Sequence, residues 1–233
     1  MRPNVHRVTT LDLAVREVAW PFAEERRAEI AAHFAEQQRE RPLMWNGRVL
    51  LGRDPALSGD RFAASYFETD FASFLAWRDW GFPDKAVFNG FGMGALRASD
   101  GAFVMGEMGQ HTANPGRIYF PSGTPDPNDV RDGTLDIPGS VAREVEEETG
   151  LKPGDYVADA HWHCVVTGPA IALIRILEMD MPGEAIRARI EANLALQAQP
   201  ELAAIHLVRG TGDLRTTMPR FVTAFVEQQF AAS

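Results

Sequence analysis

Apolar positions alternate along some stretches of this chain and recur every three to four residues along others, and the two spacings divide it into strands and helices. Residues 6–20, HRVTTLDLAVREVAW, alternate loosely and predict a strand. Pro21 then opens residues 22–41, in which Ile30 and Phe34 fall on one face, so an amphipathic helix is expected there, ended by Pro42. RVLLGRD at 48–54 and RFAASYF at 61–67 read as two strands around a turn. Thr69 or Asp70 can cap a helix over 71–80, which turns Phe71, Phe74, Leu75 and Trp77 inward and closes at Gly81 and Pro83.

From about residue 86 the pattern becomes more apolar. VFNGFGMGALRA at 87–98 and AFVMGEMG at 102–109 flank Ser99-Asp100-Gly101, and Asp-Gly between apolar runs predicts a hairpin. RIYF at 117–120 adds a strand, residues 121–134 form a long loop rich in Pro, Gly and Asp, and a helix is expected over 137–149 with Gly150 as its left-handed cap. Two strands (156–167 and 170–180), a helix (183–197), a strand (204–209) and a closing helix (218–230) complete the series. The glycines at 90, 92 and 94 imitate a dinucleotide fingerprint, but a hairpin follows them where that motif needs a helix, so they read as a closely packed strand.

With 233 residues, 45% of them hydrophobic, the chain can fill a sizeable core. A formal charge of −9, from 23 basic and 32 acidic residues, disfavours a grip on a nucleic-acid backbone. Small phosphorylated substrates held through a divalent metal remain compatible with it. Cys164 is the single cysteine, MRPNVHRVTT lacks the apolar stretch of a signal peptide, and no apolar run approaches a membrane span; a cytoplasmic protein without a membrane partner is expected.

The chemistry concentrates in REVEEETGL, residues 143–151. At about 100° per residue, Glu144, Glu147 and Glu148 fall within an arc of about 100°, while Glu146 points away. Repulsion among three such carboxylates raises their pKa values unless a cation compensates, and hard oxygen ligands suit Mg²⁺ or Mn²⁺. Arg143 stands four residues before Glu147 and can brace it.

The order Arg143-Glu144-Val145-Glu146-Glu147-Glu148-Thr149-Gly150-Leu151 resembles the second half of the Nudix box, Arg-Glu-U-x-Glu-Glu-x-Gly-U with U a bulky apolar residue, at all seven specified positions. The resemblance covers about residues 88–230. It implies an α/β protein, a Nudix α/β/α sandwich with a mixed sheet over 88–233, preceded by an α+β extension over 1–87 that packs on this core. It further implies metal-dependent hydrolysis of the pyrophosphate bond in a nucleoside diphosphate linked to another group. Glu144, Glu147 and Glu148 would ligate the metal with the backbone carbonyl of Gly123, Arg143 would orient Glu147, and Glu144 or Glu201 would serve as general base. Dimers are common in the family, so a homodimer is expected by analogy alone.

The first half of the box departs from the family. Counting back from Arg143 puts Leu135 where a Glu belongs and Asp129 where a Gly belongs. Phe120-Pro121-Ser122-Gly123 looks like the displaced entry to a lengthened loop, and Asp136 would cap the helix or replace the missing acid. His161 and His163, two apart on a strand, are candidates to touch substrate phosphate. The amino-terminal aromatics read as core, one ring being available to stack on a base. WNG at 45–47 and YFETDFASFLAW at 66–77 are similar to the corresponding part of Nudix proteins that cleave UDP-glucose, which implies a nucleotide sugar. ADP-ribose, coenzyme A or nucleoside triphosphates are the other substrates to weigh. A Nudix-like module that senses a nucleotide without cleaving it is the rival reading.

Overall fold

The structure, a computed structural model, describes residues 4–42 and 44–231; the outermost residues of the two expected units, 1–3 and 232–233, lie outside that range. In chain order the elements are β1 (Asn4–Val8), β2 (Thr10–Val15), α1 (Pro21–Glu25), α2 (Arg27–Glu40), β3 (Arg48–Ser58), β4 (Arg61–Asp70), α3 (Phe71–Asp79), β5 (Val87–Arg97) and β6 (Phe103–Met108). They continue with β7 (Ile118–Tyr119), β8 (Val130–Arg131), β9 (Thr134–Leu135), α4 (Ile137–Thr149), β10 (Val157–Ala158), β11 (Trp162–Val166), β12 (Ala170–Glu178), α5 (Gly183–Leu194), β13 (Leu202–Val208) and α6 (Arg220–Ala231).

Strand β5 is the axis. Its first residues pair with β3, its last with β6, and from Asn89 to Arg97 it runs parallel to β12. The path β1-β11-β12-β5-β3-β4-β2-β9-β8 follows, with β6 carrying β7 and β13 beyond it, and parallel pairs β12–β5 and β2–β4 among antiparallel ones make the sheet mixed. The protein is therefore an α/β structure with helices against a large mixed sheet, as expected.

Alternation along β5 decides which helix covers which face. A Cβ at Gly92 would meet Val141 and Ile137, and one at Gly94 would meet Val145, so α4 lies on the glycine side. Phe91 points the other way, 5.3 Å from Phe221 of α6. Layers of helix, sheet and helix result. The glycines are thus explained by close backbone approach rather than by a dinucleotide. Gly94→Ala is expected to destabilise the fold by about 2 kcal/mol in urea unfolding, because its methyl would stand 2.6 Å from Val145 Cγ2 and 2.9 Å from Leu177 Cδ1 inside a filled core.

Helix α4 has the bounds its pattern predicts. The Asp136 side chain accepts from Gly139 N at 2.9 Å, a proline occupies the first turn, and Gly150 closes the helix at φ 75°. Its buried stripe is Ile137, Val141 and Val145, continued by Glu148.

Two amino-terminal expectations change. The strand over 6–20 is two strands, because β1 pairs antiparallel with β11 (Arg7 opposite His163) whereas β2 pairs parallel with β4 (Leu13 opposite Ala64). The helix over 22–41 breaks at Arg26, whose backbone leaves the helical region (φ −106°, ψ 18°) and whose guanidinium lies 4.1 Å from the Trp80 ring centroid. Leu50 and Tyr66 face the main core, while Leu51 and Phe67 join Trp20, Phe74 and Trp77 on the opposite face of the β3–β4 pair. Among the described residues no helix is long and apolar enough to cross a membrane.

Candidate active site

The three motif glutamates leave α4 at different depths. Glu148 belongs to the buried stripe and is 4% exposed, Glu144 keeps 14% of its side chain in water, and Glu147 stands at the rim with 59%. Glu146 points away and pairs with Lys152 at 3.3 Å.

The loop before α4 comes over the two inner carboxylates. Pro121 O accepts from Gly94 N at 3.0 Å, which ties the loop to β5. The next residue, Ser122, donates its backbone N–H to Glu148 Oε1 at 3.3 Å. Gly123 packs directly on the Glu144 carboxylate, so closely that a Cβ there would collide with it. Any side chain at 123 would displace Glu144, which accounts for glycine at that point.

Arg143 gathers the acids from the other side. Its Nη1 is 2.7 Å from Glu144 Oε1 and 3.3 Å from Glu147 Oε2, and its Nη2 reaches Asp129 Oδ1 at 3.1 Å and Oδ2 at 3.2 Å. Burial works to lower the Arg143 pKa, but Glu144, Asp129 and Glu147 together override it and raise it.

Asp129 brings a buried carboxylate to Arg143 from the loop before α4. It sits in the lengthened loop, 4% exposed, at the end of the turn Pro127–Asp129. Besides Arg143 it accepts from Ser140 Oγ at 3.1 Å and from Asp126 N at 3.1 Å. Asp136 is the helix cap, so of the two roles offered to it only capping is realised. The one available signal for Asp129 was an acidic residue in a Pro- and Gly-rich insertion, and spacing alone could not reveal that the loop folds it back onto Arg143.

Electrostatics set the inner carboxylates apart from ordinary surface acids. Burial, followed by Glu147, Glu201 and Asp129, pushes the Glu144 carboxyl up to about 7 against the opposing pull of Arg143. Burial and Glu144 push Glu148 well above the usual carboxylate range, only partly offset by the Ser122 N–H. Glu201, in the exposed loop before β13, adds to both upward shifts. Tyr119 completes the wall: burial raises its hydroxyl pKa, and Glu148, Glu201 and Glu144 add to the shift.

His161 and His163 are elsewhere. His163 pairs in register with Ile174, and Ile174 with Met93, which places it on the sheet face opposite Gly92 and Gly94 and 5.1 Å from the Phe225 ring of α6. The His161 ring is held by Arg7 at 2.9 Å and Asp159 at 3.0 Å. Neither shares a contact with the glutamates.

Among the described residues no three His, Cys, Asp or Glu side chains stand gathered to hold a metal ion. The donor set nevertheless suits a hard divalent cation: Glu144 and Glu148 are buried, mutually repelling and overlaid by a loop backbone, with Glu147 and Glu201 at the rim.

A cleft of about 540 Å³ opens beside this group and shares Tyr119, Ser122 and Gly123 with it. Its remaining lining comes from α3 and the turn after it, β5, the 113–117 loop, Thr124, the start of β12 and the segment that leads into α6.

The chain matches no family model and no curated protein. Among solved structures it is similar to a Nudix hydrolase from M. smegmatis, RenU, with 15% identity over 63% of this chain and 88% of that one and a TM-score of 0.41. It is also similar to the MutT protein from Methanosarcina mazei Go1, with 18% identity over 62% and 94% of the two chains and a TM-score of 0.37. A third is a bifunctional NMN adenylyltransferase/ADP-ribose pyrophosphatase from Francisella tularensis, with 12% identity over 68% of this chain and 45% of that one and a TM-score of 0.40. With the order of residues 143–151 set on a helix against a mixed sheet, the chain resembles the Nudix hydrolases.

Proposed function

We propose that the chain is a Nudix pyrophosphohydrolase that splits the phosphoric anhydride of a nucleoside diphosphate linked to a second group, a nucleotide sugar by preference, with Mg²⁺ or Mn²⁺ as cofactor. Residues 88–233 carry the hydrolase unit, 1–87 are its amino-terminal extension, and the protein works in the cytoplasm. The observation that carries this reading is the burial of Glu148 beside Glu144 under the Ser122–Gly123 backbone. Two buried like charges are costly for a folded chain and are of use where a cation and a polyanion meet.

Glu144, Glu147, Glu148 and the Gly123 carbonyl would hold the cation. When bound, it supplies charge neutralisation of the diphosphate and acidification of water. Arg143 orients Glu144 and Glu147 and is itself fixed by Asp129. On this reading Glu144 or Glu201 would take a proton from the attacking water. The cleft beside them is of a size to hold the organic part of the substrate.

A panel of UDP-glucose, ADP-ribose, coenzyme A and nucleoside triphosphates, assayed for phosphate-bearing products with Mg²⁺ and with chelator, tests the proposal. Turnover of at least one member is expected, restricted to the Mg²⁺ arm. Binding of a member with no hydrolysis of any would instead establish the sensing module.

A further inference from the structure

The two histidines that stand apart from the glutamates lie on the seam where β1 meets β11. His161 Nδ1 is approached from two sides, by Arg7 Nη2 at 2.9 Å and by Asp159 Oδ1 at 3.0 Å. A guanidinium only donates and a carboxylate only accepts, whereas Nδ1 carries either a lone pair or a proton. The two contacts are therefore never hydrogen bonds at the same time. In a neutral ring with its proton on Nε2, Nδ1 accepts from Arg7, and Asp159 Oδ1 still accepts the backbone N–H of His161 at 3.0 Å. A second proton makes Nδ1 a donor to Asp159 and sets a cation against Arg7.

The charges on the neighbouring elements sharpen that conflict. Arg175 of β12 donates its Nε to the Asp159 carbonyl at 2.6 Å, which brings another guanidinium to the same turn. His163 stands opposite Arg7 in register and is 7% exposed; burial, followed by Arg7, holds its pKa below the ordinary imidazole value, so further acidification is needed before it too is charged. From α6, Glu227 and Arg220 line the groove beside β1 together with His6. Once His161 is protonated, it and Arg7 compete for the one carboxylate of Asp159.

Strand β1 is the element free to yield. It is five residues long, stands at the end of the sheet path, and has only Val8 buried. Its opening also gives His163 access to water, because β1 is what flanks that residue along the sheet.

We infer that Arg7, His161 and Asp159 form a proton-operated clasp, which holds β1 on β11 while His161 is neutral and lets it go when His161 takes up a proton. Release follows proton uptake, so the tie is complete at neutral pH and is lost as the pH falls through the range in which imidazoles titrate, about 5 to 8. The clasp is separate from hydrolysis, and its test needs no substrate.

Hydrogen exchange of the full chain, read by mass spectrometry at pH 7.5 and 5.5 and corrected for the intrinsic rate at each pH, provides that test. Protection of residues 4–8 should fall by about fivefold on acidification, the worth of one partly exposed charge pair, with a parallel loss in residues 162–166. The paired stretches 89–97 and 170–178 should keep theirs. His161→Gln retains an oxygen that accepts from Arg7 at either pH, so the acid effect should shrink to less than about twofold. Arg7→Gln should lower protection at pH 7.5 and shrink the acid effect as well, whereas an arginine with a merely structural role would lower protection equally at both values. Unchanged protection of residues 4–8 in the wild-type chain would overturn the inference, as would an equal loss across 89–97 and 170–178 or a full acid effect in His161→Gln.

Discussion

Glu148→Gln is expected to lower kcat for Mg²⁺-dependent anhydride hydrolysis by about 10³-fold, about 4 kcal/mol of transition-state stabilisation, while leaving the melting temperature unchanged or higher. The two halves of this result have one origin. Glu148 is 4% exposed, and burial with Glu144 beside it drives its carboxyl well above the usual range, so the charged form is unfavourable in the folded chain. Glutamine occupies the same space without that charge, and its amide oxygen can still accept from Ser122 N–H. On the proposed reading, activity by contrast needs the negative oxygen as a metal ligand. Steady-state kinetics and thermal unfolding on one preparation check both halves. Wild-type turnover in the variant would remove Glu148 from the site, and a large fall in melting temperature would make its role structural.

Asp129→Ala is expected to destabilise the chain by about 3 kcal/mol in urea and to lower kcat by about 10–100-fold. Ser140 Oγ and Asp126 N–H lose their acceptor, and Arg143 loses the partner that holds it over Glu144 and Glu147. The ion pair itself contributes modestly, because the Arg143 side chain is 35% exposed and screened by water. Most of the loss comes from the buried donors left without a partner. Asp136→Ala is the informative contrast: it removes only the helix cap, should cost about 1 kcal/mol, and should leave kcat within about twofold. Equal kinetic effects of the two substitutions would deny Asp129 its positioning role.

The pattern of apolar residues was enough to read the elements that depend on near neighbours. Helix α4, its Asp136 cap and Gly150 terminus, and the hairpin around Ser99-Asp100-Gly101 all rest on contacts within a few residues, and all are as expected. The layered α/β architecture followed from the resemblance. What escaped depends on partners far along the chain. No local pattern could divide residues 6–20, since the break at Thr9 exists because β1 and β2 pair with strands on opposite sides of β5. A helical wheel places Glu144, Glu147 and Glu148 on one arc but does not say that the arc's edge at Glu148 tucks under a loop. The strand spacing put His163 on a definite face without saying that α6 covers that face.

The pairing of β1 with β11 has a consequence for how this protein can be divided. Residues 4–8 flank a strand formed by residues 162–166, so this amino-terminal segment is sewn into the far border of the 88–233 half before it builds its own. Cutting the chain at 87 would not free an intact fold. It would strip Val8 from the interior, bare the row of amides and carbonyls along β11, and leave a sticky border ready to recruit another molecule.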